Sequence, residues 1–288
     1  MPNVLTVRSP YRDQPLREHV ACRGSLQDLR APRLLVLVHG YNNDEVQAAS
    51  AYATFQRRLR SALLEPPSRM PRPIWEYHWP GDDRRWSVSL LGYPIKPAVA
   101  TTSGERLGEF LATLARTQVV DIVAHSLGCR VALATTAWIK RQPSYQGARI
   151  GQVVLMAAAV PEHLCRDQDG RPFRRPLPTE AEHVLHSRAD LVLRLVFRRG
   201  QGVAGEGGSP AVGRNGGPAG RWSSVVDSGV GHTAYWGSAD VARAVATATG
   251  WRRARAVATR QVAAGYLAPT RGQGRRAVTQ RRVSSRAV

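Results

Sequence analysis

One serine in this sequence stands where a serine hydroxyl can act as a nucleophile. Ser126 lies in the segment Ala124-His-Ser-Leu-Gly128, between an apolar strand pattern and a helical pattern. So tight a turn requires small residues two positions either side of the serine, and Ala124 and Gly128 meet that requirement. The backbone N–H of Leu127, at the start of the helix, would then face a developing oxyanion. The motif predicts a nucleophile, but taken alone it fits a serine that merely caps a helix equally well.

A serine hydroxyl needs a base, and chain position favours His232 for that role. This residue lies in the segment Gly229-Val-Gly-His-Thr-Ala-Tyr-Trp236, after the last predicted strand and before the last predicted helix. Its neighbouring glycines permit a loop that carries the imidazole over the edge of the sheet. The other seven histidines lie upstream of the serine, next to it, or before the expected acid.

The carboxylate that would orient this base has several candidates. The aspartates between the serine and the histidine are Asp167, Asp169, Asp190 and Asp227. We predict Asp190, because it follows a predicted strand end and gives the chain order serine, acid, histidine. Asp167 and Asp169 follow the preceding strand and remain the main alternatives, whereas Asp227 shares a segment with the histidine. Asp190 also fits a helix N-cap, and the two roles are compatible.

Segments of strand character and helix character alternate around these residues. Apolar runs predict strands over residues 34–38, 74–79, 119–124, 153–159, 183–186 and 223–226. Helical spacing predicts helices over residues 46–63, 103–114, 127–140 and 239–249. This alternation predicts an α/β fold with a mostly parallel twisted sheet and helices on both faces.

Composition divides the chain into three parts. We expect an N-terminal lead-in over residues 1–32, the α/β domain over 33–250, and a flexible tail over 251–288. Within the domain, residues 201–220 are rich in glycine and are expected to form a flexible loop or lid. The tail holds ten arginines and no acidic residue, half of the net charge of +20. Weak contact with polyanions is therefore the partner interaction that we expect of the tail.

The sequence contains no apolar run long enough to cross a membrane and no apolar signal-peptide core near its start, so we expect a cytoplasmic protein without a membrane span. Its three cysteines, Cys22, Cys129 and Cys165, lack metal-site spacing and predict reduced thiols. No cofactor or metal is expected.

Four segments together resemble the α/β-hydrolase superfamily: Val38-His-Gly-Tyr-Asn42, Trp79-Pro-Gly81, Ala124-His-Ser-Leu-Gly128 and Gly231-His232. They are similar in particular to a bacterial branch of uncharacterised serine hydrolases that share HGYN and HS[LM]G motifs. The resemblance spans residues 33 to 249 and implies an eight-stranded, mostly parallel sheet and acyl-transfer chemistry without a metal. Because little chain precedes Arg33, the first two strands are expected to be short or lost.

The resemblance also implies roles for particular groups. The loop after the strand at 34–38 supplies the second oxyanion donor in this superfamily, which corresponds here to the N–H of Tyr41, with Leu127 as the other donor. The implied reaction is hydrolysis of a small-molecule carboxylic ester through an acyl-enzyme on Ser126, with His232 as base and Asp190 as acid.

Other readings stay open at this stage. A thioesterase or an acyltransferase would use the same triad, and a scaffold with an inactive triad would keep the fold. A protein of a different class, a polyanion-binding protein on a hydrolase scaffold, would explain the arginine-rich tail. Four aromatic residues could line an apolar acyl pocket or could equally be core: Trp75, Trp79, Trp86 and Tyr93.

Overall fold

A single eight-stranded sheet organises the computed structural model, which describes residues 1–9, 16–63, 72–82, 96–197 and 207–251. The strands in chain order are β1 (Asn3–Arg8), β2 (Leu16–Arg23), β3 (Arg33–Val38), β4 (Ile74–His78), β5 (Val119–His125), β6 (Arg149–Met156), β7 (Thr179–His186) and β8 (Ser224–Asp227). Their order across the sheet is β2-β1-β4-β3-β5-β6-β7-β8, and of these strands β2 alone runs antiparallel to its neighbour.

Helices cover both faces of this sheet, as the alternation of segments predicts. They are α1 (Leu26–Leu29), α2 (Glu45–Ala62), α3 (Lys96–Ala112), α4 (Gly128–Lys140), α5 (Val212–Asn215) and α6 (Ala239–Ala248). Helix α3 packs on α4, and α2 packs on α6. The central strands are buried on both faces, which explains why β3 is a continuous apolar run and does not alternate. The α/β fold with a mostly parallel sheet is confirmed.

Helix α2 shows how the sequence sets one of these elements. Asp44 accepts a hydrogen bond from the backbone N–H of Gln47, whose side chain accepts one from the N–H of Asp44. This reciprocal capping box satisfies two backbone donors at the helix start. Along the helix, Ala48, Tyr52, Phe55 and Leu59 recur at helical spacing and are fully buried. The predicted helix therefore forms where its cap and apolar face indicate.

The N-terminal region departs from expectation. Residues 1–32 are not a separate segment before the domain but supply two strands of its sheet and the short helix α1. Strand β1 lies inside the sheet between β2 and β4, and its side chains Val4, Leu5 and Val7 are buried. Both first strands are present, with six and eight residues. The prediction fails for a physical reason. Strand β1 is buried because it pairs with β4, which follows about seventy residues later, and no local sequence pattern indicates such a partner.

The glycine-rich stretch also departs from expectation in its described part, residues 207–220. It contains helix α5, and Ala211 and Val212 are buried. A side chain at Gly213 would collide with the backbone of Ala157 and Ala158, just beyond β6. At Gly213, glycine permits close packing, and residues Val212–Asn215 form a helix where a flexible loop or lid is expected. Residues 201–206 and 252–288, including nearly all of the predicted tail, lie outside the described residues.

Three element boundaries differ from the sequence pattern by four residues or more, one of them at β7, which starts at Thr179 where 183 is predicted. Helix α3 starts at Lys96, seven residues before the predicted start, and β6 covers 149–156 where 153–159 is predicted. The apolar run continues past the strand because residues Ala157–Val160 stay buried beneath the site while leaving the sheet. Within the described ranges, no helix is both long and apolar enough to cross a membrane.

Candidate active site

Ser126 occupies a constrained turn between β5 and α4. Its φ of 54° lies in the left-handed region, which residues other than glycine seldom adopt. The backbone holds it there: the Ser126 N–H donates to the carbonyl of Met156 at 2.9 Å, and its carbonyl accepts from Cys129 and Ala159, each at 3.1 Å. Backbone conformations of this kind cluster at functional sites. The turn presents the hydroxyl beyond the carboxyl end of the sheet.

Two glycines allow neighbouring segments to approach this turn. A Cβ at Gly128 would collide with the carbonyl oxygen of His39 and would lie 2.9 Å from that of Val38. A Cβ at Gly40 would lie 2.9 Å from the Cβ of Ser126. The requirement for a small residue at position 128 therefore has a concrete origin in the contact between the start of α4 and the end of β3.

Three predicted residues meet in one hydrogen-bonded chain. The Nε2 atom of His232 lies 2.9 Å from Oγ of Ser126, and its Nδ1 atom lies 2.7 Å from Oδ2 of Asp190. A carboxylate can only accept, so Nδ1 carries a proton and the neutral ring presents a lone pair at Nε2 toward the serine. The Asp190 side chain is fully buried, and that of His232 is 12% exposed. This geometry is suited to moving the serine proton.

Asp190 has a second contact on its other carboxylate oxygen. Its Oδ1 accepts from the backbone N–H of Leu193 at 2.9 Å, within the π-helical turn Val192–Val196. One carboxylate oxygen of Asp190 therefore contacts the predicted base, and the other contacts a backbone N–H near the start of a helical turn. The other three candidate aspartates make different contacts. Asp167 accepts from the N–H of Arg175, Asp169 pairs with Arg174, and Asp227 accepts from the N–H of Gly229.

The segment that carries Tyr41 is held by a buried histidine. The Nδ1–H of His39 donates to the carbonyl of Gly40 at 2.9 Å, and its Nε2 accepts from the backbone N–H of Trp79 at 3.3 Å. Burial lowers the pKa of His39 to about 3, which keeps the ring neutral as this pattern requires. In addition, the N–H of Asn42 donates to Gly81. The loop containing Tyr41 is thus fixed against the end of β4, beside the serine.

A residue that sequence reasoning assigned no role, His125, supports the predicted base. Its Nε2 lies 2.8 Å from the backbone carbonyl of His232 and must donate, because a carbonyl only accepts. Its Nδ1 is buried without a hydrogen-bond partner among the described residues. Burial, and then the neighbouring His232, lower the pKa of His125 to about 3. Adjacency to Ser126 is the only sequence signal, and it does not reveal a contact 107 residues away.

An open groove leads away from the serine, and we call it the helix groove. One wall is the α2 face with Val46, Gln47, Ser50, Ala51 and Thr54; the other is the 3-10 helix His232–Gly237 with Thr233 and Trp236. Tyr41 and Asn43 close one side, and His125, Ser126 and His232 form the reacting end. Its volume is about 650 Å³. A substrate that reaches Ser126 can therefore extend along α2.

Two of the tryptophans that were candidates for an acyl pocket lie in the core, away from the helix groove. Trp75 and Trp79 are fully buried in the core and do not line the helix groove. Trp79 instead donates from Nε1 to the carbonyl of His39 at 2.8 Å, so it supports the loop that carries Tyr41. Trp86 and Tyr93 lie outside the described residues.

The cysteines and the candidate metal-binding side chains show neither a disulfide nor a metal cluster among the described residues. Cys129 and Cys165 are buried and Cys22 is exposed, and all three are unpaired. In the part of the chain that the structure describes, no three His, Cys, Asp or Glu side chains are grouped as metal ligands.

The sequence matches the family model described as alpha/beta hydrolase of unknown function (DUF900) over residues 18–204, and the chain belongs to that family. The matched region includes Tyr41, Ser126 and Asp190 and ends before His232. No curated protein matches the sequence significantly.

Three solved structures that match this chain share little sequence with it and have low TM-scores. One, from Xanthomonas campestris pv. campestris, is assigned to the alpha/beta hydrolase superfamily; it has 16% identity and a TM-score of 0.39, with 74% of this chain and 96% of that chain covered. Another is a Listeria innocua gene product with 10% identity and a TM-score of 0.38, covering 75% and 93%. A Thermus thermophilus protein has 15% identity and a TM-score of 0.32, covering 74% and 85%.

Proposed function

We propose that this protein is a serine hydrolase that cleaves a carboxylic ester through an acyl-enzyme on Ser126. The observation that carries the proposal is the unbroken chain from the Asp190 carboxylate through His232 to the Ser126 hydroxyl, with contacts of 2.7 and 2.9 Å. A serine is a weak nucleophile unless an adjacent base removes its proton, and this chain provides such a base. Membership of an alpha/beta hydrolase family supports the same conclusion.

The first half-reaction forms the acyl-enzyme. His232 Nε2 takes the hydroxyl proton while Oγ of Ser126 bonds to the ester carbonyl carbon, and the carbonyl electrons move onto oxygen. The backbone N–H groups of Tyr41 and Leu127 stabilise that oxyanion. The intermediate then collapses, the bond to the alcohol oxygen breaks, and the imidazolium returns its proton to the leaving alcohol.

The second half-reaction releases the acid. Water gives a proton to His232 Nε2 as its oxygen attacks the acyl carbon, and collapse of the second intermediate returns that proton to Ser126. In each half the ring becomes positively charged for a moment. The buried Asp190 carboxylate, 2.7 Å from Nδ1, stabilises that charge and keeps the ring in the productive tautomer.

A fluorophosphonate probe, which bonds covalently to an activated serine, tests this proposal. We expect labelling of the wild-type protein and of Ser61→Ala, a matched control whose exposed hydroxyl donates to Arg57 in α2. Labelling and hydrolysis of p-nitrophenyl acetate should both disappear in Ser126→Ala, with an unchanged circular dichroism spectrum. Undiminished labelling of Ser126→Ala, or a wild-type protein that neither labels nor hydrolyses the ester, would show the assignment to be wrong.

A further inference from the structure

The described lining of the helix groove is polar and apolar but holds no acidic side chain, lysine or arginine. None of its lining residues in the described part of the chain is Asp, Glu, Lys or Arg, in a protein that has 41 basic and 21 acidic residues. A charged substrate group placed there would meet no side chain of opposite charge among these residues. This lining is suited to a substrate part that carries no charge.

The groove also presents both hydrogen-bond donors and hydrogen-bond acceptors. Gln47 uses Oε1 to accept from Asp44 at 3.1 Å, which leaves its amide N–H groups as donors. Asn43 uses Nδ2 to donate to the carbonyl of Tyr41 at 3.1 Å, which leaves its Oδ1 as an acceptor. The hydroxyls of Ser50 and Thr233 can do either. A hydrocarbon chain lying against these groups would remove their water without replacing its hydrogen bonds.

From these two properties we propose that the substrate is an ester of an uncharged, hydroxyl-rich alcohol, such as a sugar or polyol, with the alcohol part lying along α2. The inference rests on the proposed hydrolase activity. Each hydroxyl both donates and accepts, so it can pair with Asn43 and Gln47 alike. The C–H surfaces of such an alcohol can contact Val46, Ala51 and Trp236 between the polar groups. The helix rises about 12 Å from Val46 to Thr54, which gives room beyond the reacting carbonyl.

Three acetate esters with unactivated alcohols test the specificity of the wild-type enzyme through acetate release. They are an acetylated neutral disaccharide, the matching ester of a disaccharide with a carboxylate on each ring, and dodecyl acetate. We expect kcat/KM for the neutral disaccharide to exceed the other two by about tenfold or more, because a polar site rejects groups that leave its hydrogen bonds unmet. A preference for dodecyl acetate or for the carboxylate ester would overturn the proposal.

Two matched substitutions on α2 test where the alcohol lies. Ala51 lines the groove, whereas Ala53 is exposed and does not line it. Ala51→Leu should narrow the groove and lower kcat/KM for the neutral disaccharide ester about tenfold. Ala53→Leu places the same side chain on the same helix and should leave that value unchanged. Equal behaviour of the two variants would show that the alcohol does not lie along this face.

Direct binding separates this proposal from the proposed reaction. In the Ser126→Ala background, calorimetry should detect binding of the intact neutral disaccharide ester, weakened by Ala51→Leu and unaffected by Ala53→Leu. If that pattern holds while the wild-type protein releases no acetate, the groove assignment is right and the hydrolase proposal is wrong. If the wild-type protein hydrolyses p-nitrophenyl acetate while Ser126→Ala shows no such binding, the hydrolase proposal stands and the groove assignment is wrong.

Discussion

Asp190 accepts two hydrogen bonds, one on each oxygen, and this makes its replacement by asparagine informative. In Asp190→Asn the amide oxygen would stay with the Leu193 N–H, which can only donate, and the NH₂ group would face His232. The ring would then carry its proton on Nε2, where it cannot receive the serine proton. We expect kcat for an ester to fall about 10⁴-fold while the fold is retained.

Asp227→Asn is the control for that measurement. Asp227 also precedes His232, but it is exposed and contacts the N–H of Gly229. Steady-state kinetics of this variant should be close to those of the wild-type protein. Near-full activity of Asp190→Asn, with loss of activity in Asp167→Asn or Asp169→Asn, would transfer the acid role to the earlier loop.

His125 gives a second prediction at the scale of single residues. Its Nε2–H holds the backbone of His232 at 2.8 Å, so His125→Phe should let the base move away from Ser126. We expect kcat to fall about a hundredfold, because small misplacements of reacting groups have effects of this size. His125→Gln, whose amide N–H can reach the same carbonyl, should recover most of the rate. If the two variants lose activity equally, bulk packing matters and the hydrogen bond does not.

At the scale of elements, the contact between α4 and β3 fixes the serine turn. Gly128→Ala would press a methyl group against the backbone oxygens of His39 and Val38, which cannot move without disturbing the loop that carries Tyr41. Overpacking of this kind costs about 1–3 kcal/mol of unfolding free energy. Urea denaturation should show that loss for Gly128→Ala and little change for Gly208→Ala, where the added methyl group meets open space. Equal stability of both variants would contradict the packing argument.

The same elements show what can be predicted from sequence. Strands β3 to β8, the cap of α2 at Asp44 and the turn at Ser126 before α4 follow from apolar runs and local turn chemistry. The chain order then points to Ser126, Asp190 and His232, which the structure brings together; their catalytic roles stay predictions. The helix groove could not be predicted, since two segments 180 residues apart form its walls.

Strand β1 and His125 escaped prediction for a related reason. β1 has only three buried apolar side chains, and its neighbour β4 is distant in sequence. The key contact of His125 is with a backbone carbonyl, a group that every residue carries and no sequence pattern marks. A single sequence does not reveal which distant strands pair, or which backbone carbonyl accepts a hydrogen bond from a side chain.

At the scale of the whole molecule, buried neutral histidines predict acid sensitivity. His39 and His125 have pKa values lowered to about 3 in the folded protein, against an ordinary value of 6.5. Between these values the unfolded chain binds more protons, so stability falls as the pH falls below 6.5. Each residue contributes a slope of up to about 1.4 kcal/mol per pH unit. Unfolding free energies measured between pH 5 and 6.5 should show this dependence, and His125→Gln should reduce the slope, by up to about one proton at the acidic end of the range. An unchanged slope would indicate that His125 is protonated in the folded state.

The position of β1 inside the sheet has a consequence for the order in which a newly made chain can fold. Asn3–Arg8 leaves the ribosome before its parallel partner β4, and Arg8 donates to the carbonyl of Trp79 and pairs with Asp82. At synthesis rates of about 5–20 residues per second, those partners follow several seconds later. Until then β1 has only β2 to pair with, and an isolated two-stranded hairpin is at best marginally stable in water. Strand β1 must therefore wait for β4 and the residues that follow it before the sheet can close around it.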